Sequence, residues 1–126
     1  MKFDGQSYIS GVGAYLPEKR VSSVDLLEET GSFRFGTPVD YISRRIGIIE
    51  RRVADEGVLP SDMAFNASLG AIEKAGVHAN DIDLILFCGI DRDWQEPSTA
   101  HRVQDLLGAK RATCFDVSNA CHGIMN

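Results

Sequence analysis

The residue best placed to do chemistry is Cys121, in the stretch Thr113 to Gly123, TCFDVSNACHG. Thr113 to Val117 is a short apolar run rich in β-formers and reads as a buried strand. Ser118, Asn119 and Ala120 break that pattern, and His122 to Met125 look like the opening of a helix. A small-residue turn that carries a cysteine from a strand end to a helix start offers free backbone N–H groups and the positive end of a helix dipole. Both stabilise a thiolate, the nucleophilic form of the side chain. The alternative is that Cys121 is a small buried apolar residue, the usual fate of a free cysteine. Cys88, inside LILFCG, and Cys114 read as core. The three histidines read as surface or loop residues. His122 adjoins the cysteine, so along a helix its side chain points elsewhere.

Presenting a cysteine in this way requires a sheet and helices around it. Tyr8–Gly13 (YISGVG) reads as a strand with close-packing glycines. Ser22 or Ser23 caps a short helix through Val24 to Glu29. Gly31–Gly36 is a loop holding Phe33 and Phe35. Thr37 and Pro38 read as an N-cap and first helical residue, ahead of a short helix with Tyr41, Ile42 and Arg45 that ends before Gly47. Ile48–Val53 (IIERRV) reads as a strand whose arginines form a solvated face. Leu59, Pro60 and Ser61 open the longest helix. Met63, Ala64, Ala67, Ala71, Ile72 and Ala75 recur there at helical spacing, and Gly76 ends it. So many alanines on one face imply close packing. Leu84–Gly89 reads as a strand buried on both faces, which favours a parallel sheet between helix layers. Asp91–Pro97 (DRDWQEP) is a charged loop at its end, where Arg92 reads as a solvated charge and Trp94 as an interface anchor or partly buried lid. Ser98 caps a helix with Val103, Leu106 and Leu107 that Gly108 closes. The alternation of strands and helices predicts an α/β layered architecture, with functional groups gathered at strand ends.

Composition narrows the functional classes. A 126-residue chain that is 44% hydrophobic can bury a real core, which excludes disorder. A formal net charge of −5 provides no basic excess to neutralise phosphates, so nonspecific nucleic-acid binding is not expected. No apolar run approaches the roughly 20 residues of a membrane span, and Met1–Ser7 lacks a signal-peptide core. Three cysteines at no metal-ligand spacing fit a reduced, cytoplasmic protein without a metal site.

Several stretches together resemble the thiolase-fold condensing enzymes of the ketoacyl-ACP synthase III branch. DVSNACHG is similar to the branch's nucleophile segment. YISRRIGIIERR resembles its aromatic-x-x-x-Arg-x-Gly-Ile-x-x-Arg stretch. EPSTAHRVQDLLGA resembles its Pro-Ser helix before the nucleophile strand. The resemblance runs from about Tyr8 to the end and implies a thiolase-like layered fold, of which residues 1–126 are the first half of a duplicated α/β unit, ending just after the nucleophile. It implies that Cys121 carries an acyl group, and that Thr37, Tyr41 and Arg45 hold the nucleotide of CoA. Tyr41 stands where the family has an adenine-stacking tryptophan. CoA thioesters are then substrates, and no separate cofactor is expected.

The branch usually has an aromatic residue before the Pro-Ser pair, whereas this chain has Glu96. In this respect it resembles the acyl-CoA condensing enzymes of olefin biosynthesis, the OleA type, in which a glutamate reaches into the partner subunit's site of a homodimer. The implied role of Glu96 is general base. A carboxylate serves that role only where burial strengthens it as a base. Read by itself, a glutamate at a helix start simply favours the helix dipole. Two enzymatic readings follow, both acyltransferases. One is Claisen condensation of two fatty acyl-CoA thioesters to a β-keto product. The other is condensation of an acyl-CoA primer with malonyl carried on acyl carrier protein. A third reading, of another class, is a non-catalytic α/β interaction fragment. The family draws its oxyanion histidine and asparagine from its second half, so residues 1–126 alone are expected to be inactive and to expose apolar surface.

Overall fold

The computed structural model describes residues 7–125, which form two compact units. The smaller comprises Leu16–Gly57. It is built on an antiparallel pair of short strands, β1 (Arg20–Ser22) and β2 (Glu50–Arg52), registered Arg20 to Arg52 and Ser22 to Glu50. Helix α1 (Ser23–Glu29) follows β1 directly, and the Ser22 hydroxyl accepts from the Asp25 N–H, so the expected cap is present. Ser23 ties the unit together from a fully buried position. Its N–H donates to the Ile49 carbonyl at 2.8 Å, its hydroxyl donates to the Ile48 carbonyl at 2.5 Å, and it accepts from Arg51 Nη2 at 3.1 Å.

Two expectations about this unit need correction. Arg51 and Arg52 do not form a solvated strand face. Both are half-buried, and Arg52 Nη1 donates to the Pro17 carbonyl at 2.7 Å. Their length lets Arg51 reach Ser23 at the start of α1, and Arg52 the loop before β1, while the strand pairs. The short helix also starts later than Thr37 and Pro38. The Tyr41 N–H closes a turn onto the Pro38 carbonyl, and the helical segment is a π-helical turn, Ile42–Ile46, with Tyr41 as its N-cap. It ends with the Gly47 N–H donating to the Ile42 carbonyl.

The larger unit comprises residues 7–15 together with 58–125 of those described. Its longest helix, α2 (Pro60–Ala75), begins with proline in the first turn, where a missing N–H costs nothing. The Asp62 carboxylate reaches back to the Leu59 N–H at 3.0 Å. Strand β3 (Leu84–Phe87), helix α3 (Thr99–Leu107) and strand β4 (Thr113–Asp116) form a parallel crossover, with Leu84 opposite Thr113 and Phe87 opposite Asp116. Helix α3 packs on both strands and on α2, and Ala100, Val103, Ala109 and Ala112 are buried.

The expected parallel sheet is present, but β3 is not buried on both faces. Ile85, Phe87, Cys114 and Asp116 share the α3 side, by strand alternation and by the bonds of Cys114 and Asp116 to α3. On the other side, Leu84, Leu86 and Phe115 are 46–49% exposed, because no described element covers them.

Tyr8–Gly13 belongs to no strand ladder among the described residues, yet its glycines pack as closely as expected. A Cβ on Gly13 would lie 1.9 Å from the Ala67 carbonyl oxygen, and one on Gly11 would lie 2.3 Å from that of Ala71. The alanine face of α2 is therefore the floor on which this extended segment lies, and the Lys74 ammonium holds it by donating to the Val12 carbonyl. Gly13→Ala is expected to destabilise the protein by about 3 kcal/mol, the upper range for overpacking against atoms that cannot move aside. Gly70→Ala should act in the opposite direction. Its Cβ would meet only the Gly13 Cα, at an ordinary 3.7 Å, so helix propensity decides, stabilising by about 0.5–1 kcal/mol. Thermal unfolding of the two variants checks both signs.

Candidate active site

Strand β4 delivers Cys121. The ladder continues one residue past β4, with the Val117 N–H donating to the Phe87 carbonyl at 2.9 Å. The chain then turns sharply. Ala120 has φ 44, a left-handed conformation that costs an L-residue about 1–2 kcal/mol. Cys121 follows at once and is exposed. The buried Gly123 seats the turn against the strand end, since a Cβ there would lie 3.2 Å from the Val117 carbonyl oxygen. Cys121 is thus presented at the surface and not packed away as a small apolar side chain.

The expected helix-dipole assistance is not realised among the described residues. Gly123–Met125 is a 3-10 turn, and the His122 and Gly123 N–H groups are already donated, to the carbonyls of Asn119 and Ala120. Such i to i−3 bonds consume the donors that an α-helical start would leave free. The three histidines are exposed, as expected. Cys88 and Cys114 are half-buried. The Cys114 thiol donates to Gln104 Oε1 at 3.2 Å, and burial, followed by the nearby Asp116 charge, pushes its pKa up.

Glu96 lies in the exposed part of the Asp91–Pro97 loop, next to the half-exposed Trp94. The loop is held from beneath. Asp93 has a fully buried side chain whose Oδ1 accepts the Ser61 N–H at 3.0 Å, and its own N–H donates to Thr99 Oγ1 at 3.2 Å. Arg102 Nη1 donates to Asp62 Oδ1 at 2.8 Å and to the Ser61 hydroxyl, and lies 3.7 Å from Asp93 Oδ2, which makes no hydrogen bond. The Leu59 N–H, and then Arg102, hold the Asp62 carboxyl below its usual pKa against the opposing effect of burial.

The cap of α3 also differs from expectation. Ser98 occupies the N-cap position, but its hydroxyl is paired with His101 Nδ1 at 2.5 Å. The first free N–H groups, those of Thr99 and Ala100, donate instead to the Asp116 carboxylate at 2.9 and 2.8 Å. The buried Thr99 is therefore bonded both to Asp93, three residues before Glu96, and to Asp116, five residues before Cys121. The loop of Glu96 and the strand of Cys121 share one anchor.

In the smaller unit, Tyr41 and Arg45 line an open pocket of about 620 Å³ with Pro38, Asp40 and Arg44, and Arg44 pairs with Asp40 at 3.0 Å. The half-buried Thr37 is not part of that lining. Among the described residues no group of three or more His, Cys, Asp or Glu side chains is arranged to hold a metal ion, and no helix is long and apolar enough to cross a membrane.

No protein-family model matches the chain. Similar proteins are nonetheless numerous. The chain is 47% identical over 117 residues to a β-ketoacyl-[acyl-carrier-protein] synthase III of Oceanobacillus iheyensis, which covers 93% of the chain and 36% of the relative. It is 40% identical over 122 residues to the enzyme of that name from Wolbachia pipientis wMel, covering 95% and 36%. Among solved structures, the 3-oxoacyl-[acyl-carrier-protein] synthase III of Aquifex aeolicus matches with a TM-score of 0.79 and 35% identity, over 93% of the chain and 36% of that structure. A glutamate-to-aspartate variant of Xanthomonas campestris OleA matches with a TM-score of 0.82 and 30% identity, over 94% and 37%.

A parallel crossover that ends in an exposed cysteine on a strained turn, with these likenesses, has the fold of the N-terminal part of the thiolase-fold condensing enzymes. Within that class the chain is similar to the ketoacyl-ACP synthase III branch over 93–95% of its own length, and it spans 36% of the length of the curated relatives it matches.

Proposed function

We propose that the complete protein is an acyltransferase that joins two fatty acyl thioesters by Claisen condensation through an acyl-Cys121 intermediate. The Cys121 thiolate attacks the first thioester carbonyl, and CoA leaves as its thiolate. Glu96 of the partner subunit removes a proton from the α-carbon of the second acyl thioester. The carbanion attacks the acyl-cysteine carbonyl, a carbon–carbon bond forms, and the Cys121 sulfur leaves, giving a β-keto thioester and the free thiolate. Thr37, Tyr41 and Arg45 hold the CoA nucleotide, with Tyr41 stacking on the adenine. CoA enters as part of the substrate, and no other cofactor takes part. The protein acts as a homodimer in the cytoplasm, where its cysteines stay reduced.

The observation that carries this reading is the shared anchor at Thr99, which ties the nucleophile strand to the loop of a glutamate at the head of the same helix. The exposure of Glu96 in the single chain fits a carboxylate completed by a partner subunit. The names of the relatives at 40–47% identity favour a second reading, in which malonyl on acyl carrier protein supplies the carbanion by losing carbon dioxide. The two readings separate in one assay. With acyl-CoA as the sole substrate, the complete protein is expected to form a β-keto product without releasing carbon dioxide. Product that forms only when malonyl-ACP is added, with one carbon dioxide per turnover, would establish the second reading in its place.

A further inference from the structure

Asp93, Arg102 and Asp62 have no role in the condensation steps proposed above, yet they form a charged cluster in the larger unit. Asp93 brings a carboxylate whose side chain is wholly buried, and Arg102 reaches it from α3 while bonding Asp62 and Ser61 at the start of α2. The side chains of Arg102 and Asp62 are only 29% and 33% exposed. A buried ion cluster is a poor source of stability but a strict constraint on geometry. Here it constrains one end of the segment from Asp93 to Thr99, which the Asp93 N–H to Thr99 Oγ1 bond closes into a short arch. Glu96 lies within that arch, and the residues around it, Trp94, Gln95 and Pro97, are exposed.

We infer that the Arg102–Asp93–Asp62 cluster positions Glu96 for proton abstraction, acting through the arch between Asp93 and Thr99. The inference rests on the reading of Glu96 as the base. Arg102 and Asp93 are positioning residues that touch neither substrate nor Cys121. The cluster therefore acts on condensation and not on acyl uptake.

The test uses the complete protein and follows two steps separately: acylation of Cys121 by acyl-CoA, read by mass spectrometry, and condensation from the preformed acyl-enzyme. Arg102→Met is expected to leave acylation within about twofold of the parent and to slow condensation by about 10- to 100-fold, the scale of a misplacement near 1 Å. Arg102→Lys should recover part of the loss. Asp93→Asn keeps the acceptor for Ser61 and the N–H for Thr99, and replaces the charged oxygen facing Arg102 with a neutral amide NH2. It should show the same split, and it supplies the answer if Arg102→Met does not fold. Added to Glu96→Gln, either change should cause no further loss, because the group it positions is already gone. Condensation that is unchanged in the folded variants, acylation that falls in parallel, or a loss that adds in full to that of Glu96→Gln would each overturn the inference. If Glu96→Gln alone leaves condensation intact, the base reading fails first and the positioning role falls with it.

Discussion

In the complete protein, Cys121→Ser is expected to abolish acyl uptake from acyl-CoA, with a loss on the order of 10³-fold or more. A serine hydroxyl at this turn keeps the geometry but has neither the acidity nor the nucleophilicity of a thiol. Intact mass measurement after mixing with acyl-CoA reads the result directly, and undiminished acylation of the serine variant would remove Cys121 from the mechanism. A companion measurement needs no substrate. Iodoacetamide should label Cys121 ahead of Cys114, because Cys121 is exposed, whereas burial and the Asp116 charge keep Cys114 in the unreactive thiol form. Labelling of Cys88 or Cys114 first would favour a non-catalytic role for the turn.

Glu96→Gln should leave that acylation intact and slow condensation by about 10²-fold or more, the scale of losing a general base. The glutamine keeps the side chain's size and hydrogen-bonding reach and removes only its capacity to accept the proton. If the base is supplied in trans, as proposed, complementation is the sharper test. Mixing Cys121→Ser chains with Glu96→Gln chains creates dimers in which one site holds both intact groups. Random pairing of equal amounts gives about a quarter of all sites this composition, and activity should return towards that fraction. If heterodimers form and remain inactive, Glu96 either acts within its own subunit's site or lies outside the chemistry.

The helices could be read from the sequence because their signals are local. Alanine periodicity with Pro60 and Gly76 marked α2, and Ser22 marked α1, where it caps as expected. Cys121 was legible for the same reason, as a break between an apolar run and small residues. The arrangement that holds Cys121 and Glu96 was not legible, because its bonds span long separations. Asp116 caps a helix that begins 17 residues earlier, and Arg102 bonds Ser61 across 41 residues. Local capping rules assigned that task to Ser98, whose hydroxyl is occupied by His101. Only a β3–α3–β4 crossover, with its parallel strand ends beside the helix start, makes Asp116 a candidate. The open face of Leu84, Leu86 and Phe115 was missed because an apolar strand looks the same whether or not a layer covers both sides.

The seat of Gly11 and Gly13 on α2 has a consequence for anyone mapping this protein by random mutagenesis. An activity screen will score substitutions at these glycines as severely as those at a catalytic group, because no side chain fits above the Ala67 and Ala71 carbonyls. A map built on activity alone would then draw a false second hot spot on the segment leading into the fold. Counting folded protein beside turnover separates the two: the glycine variants should be lost from the soluble pool, whereas inactive variants at Cys121 and Glu96 should persist there at full abundance.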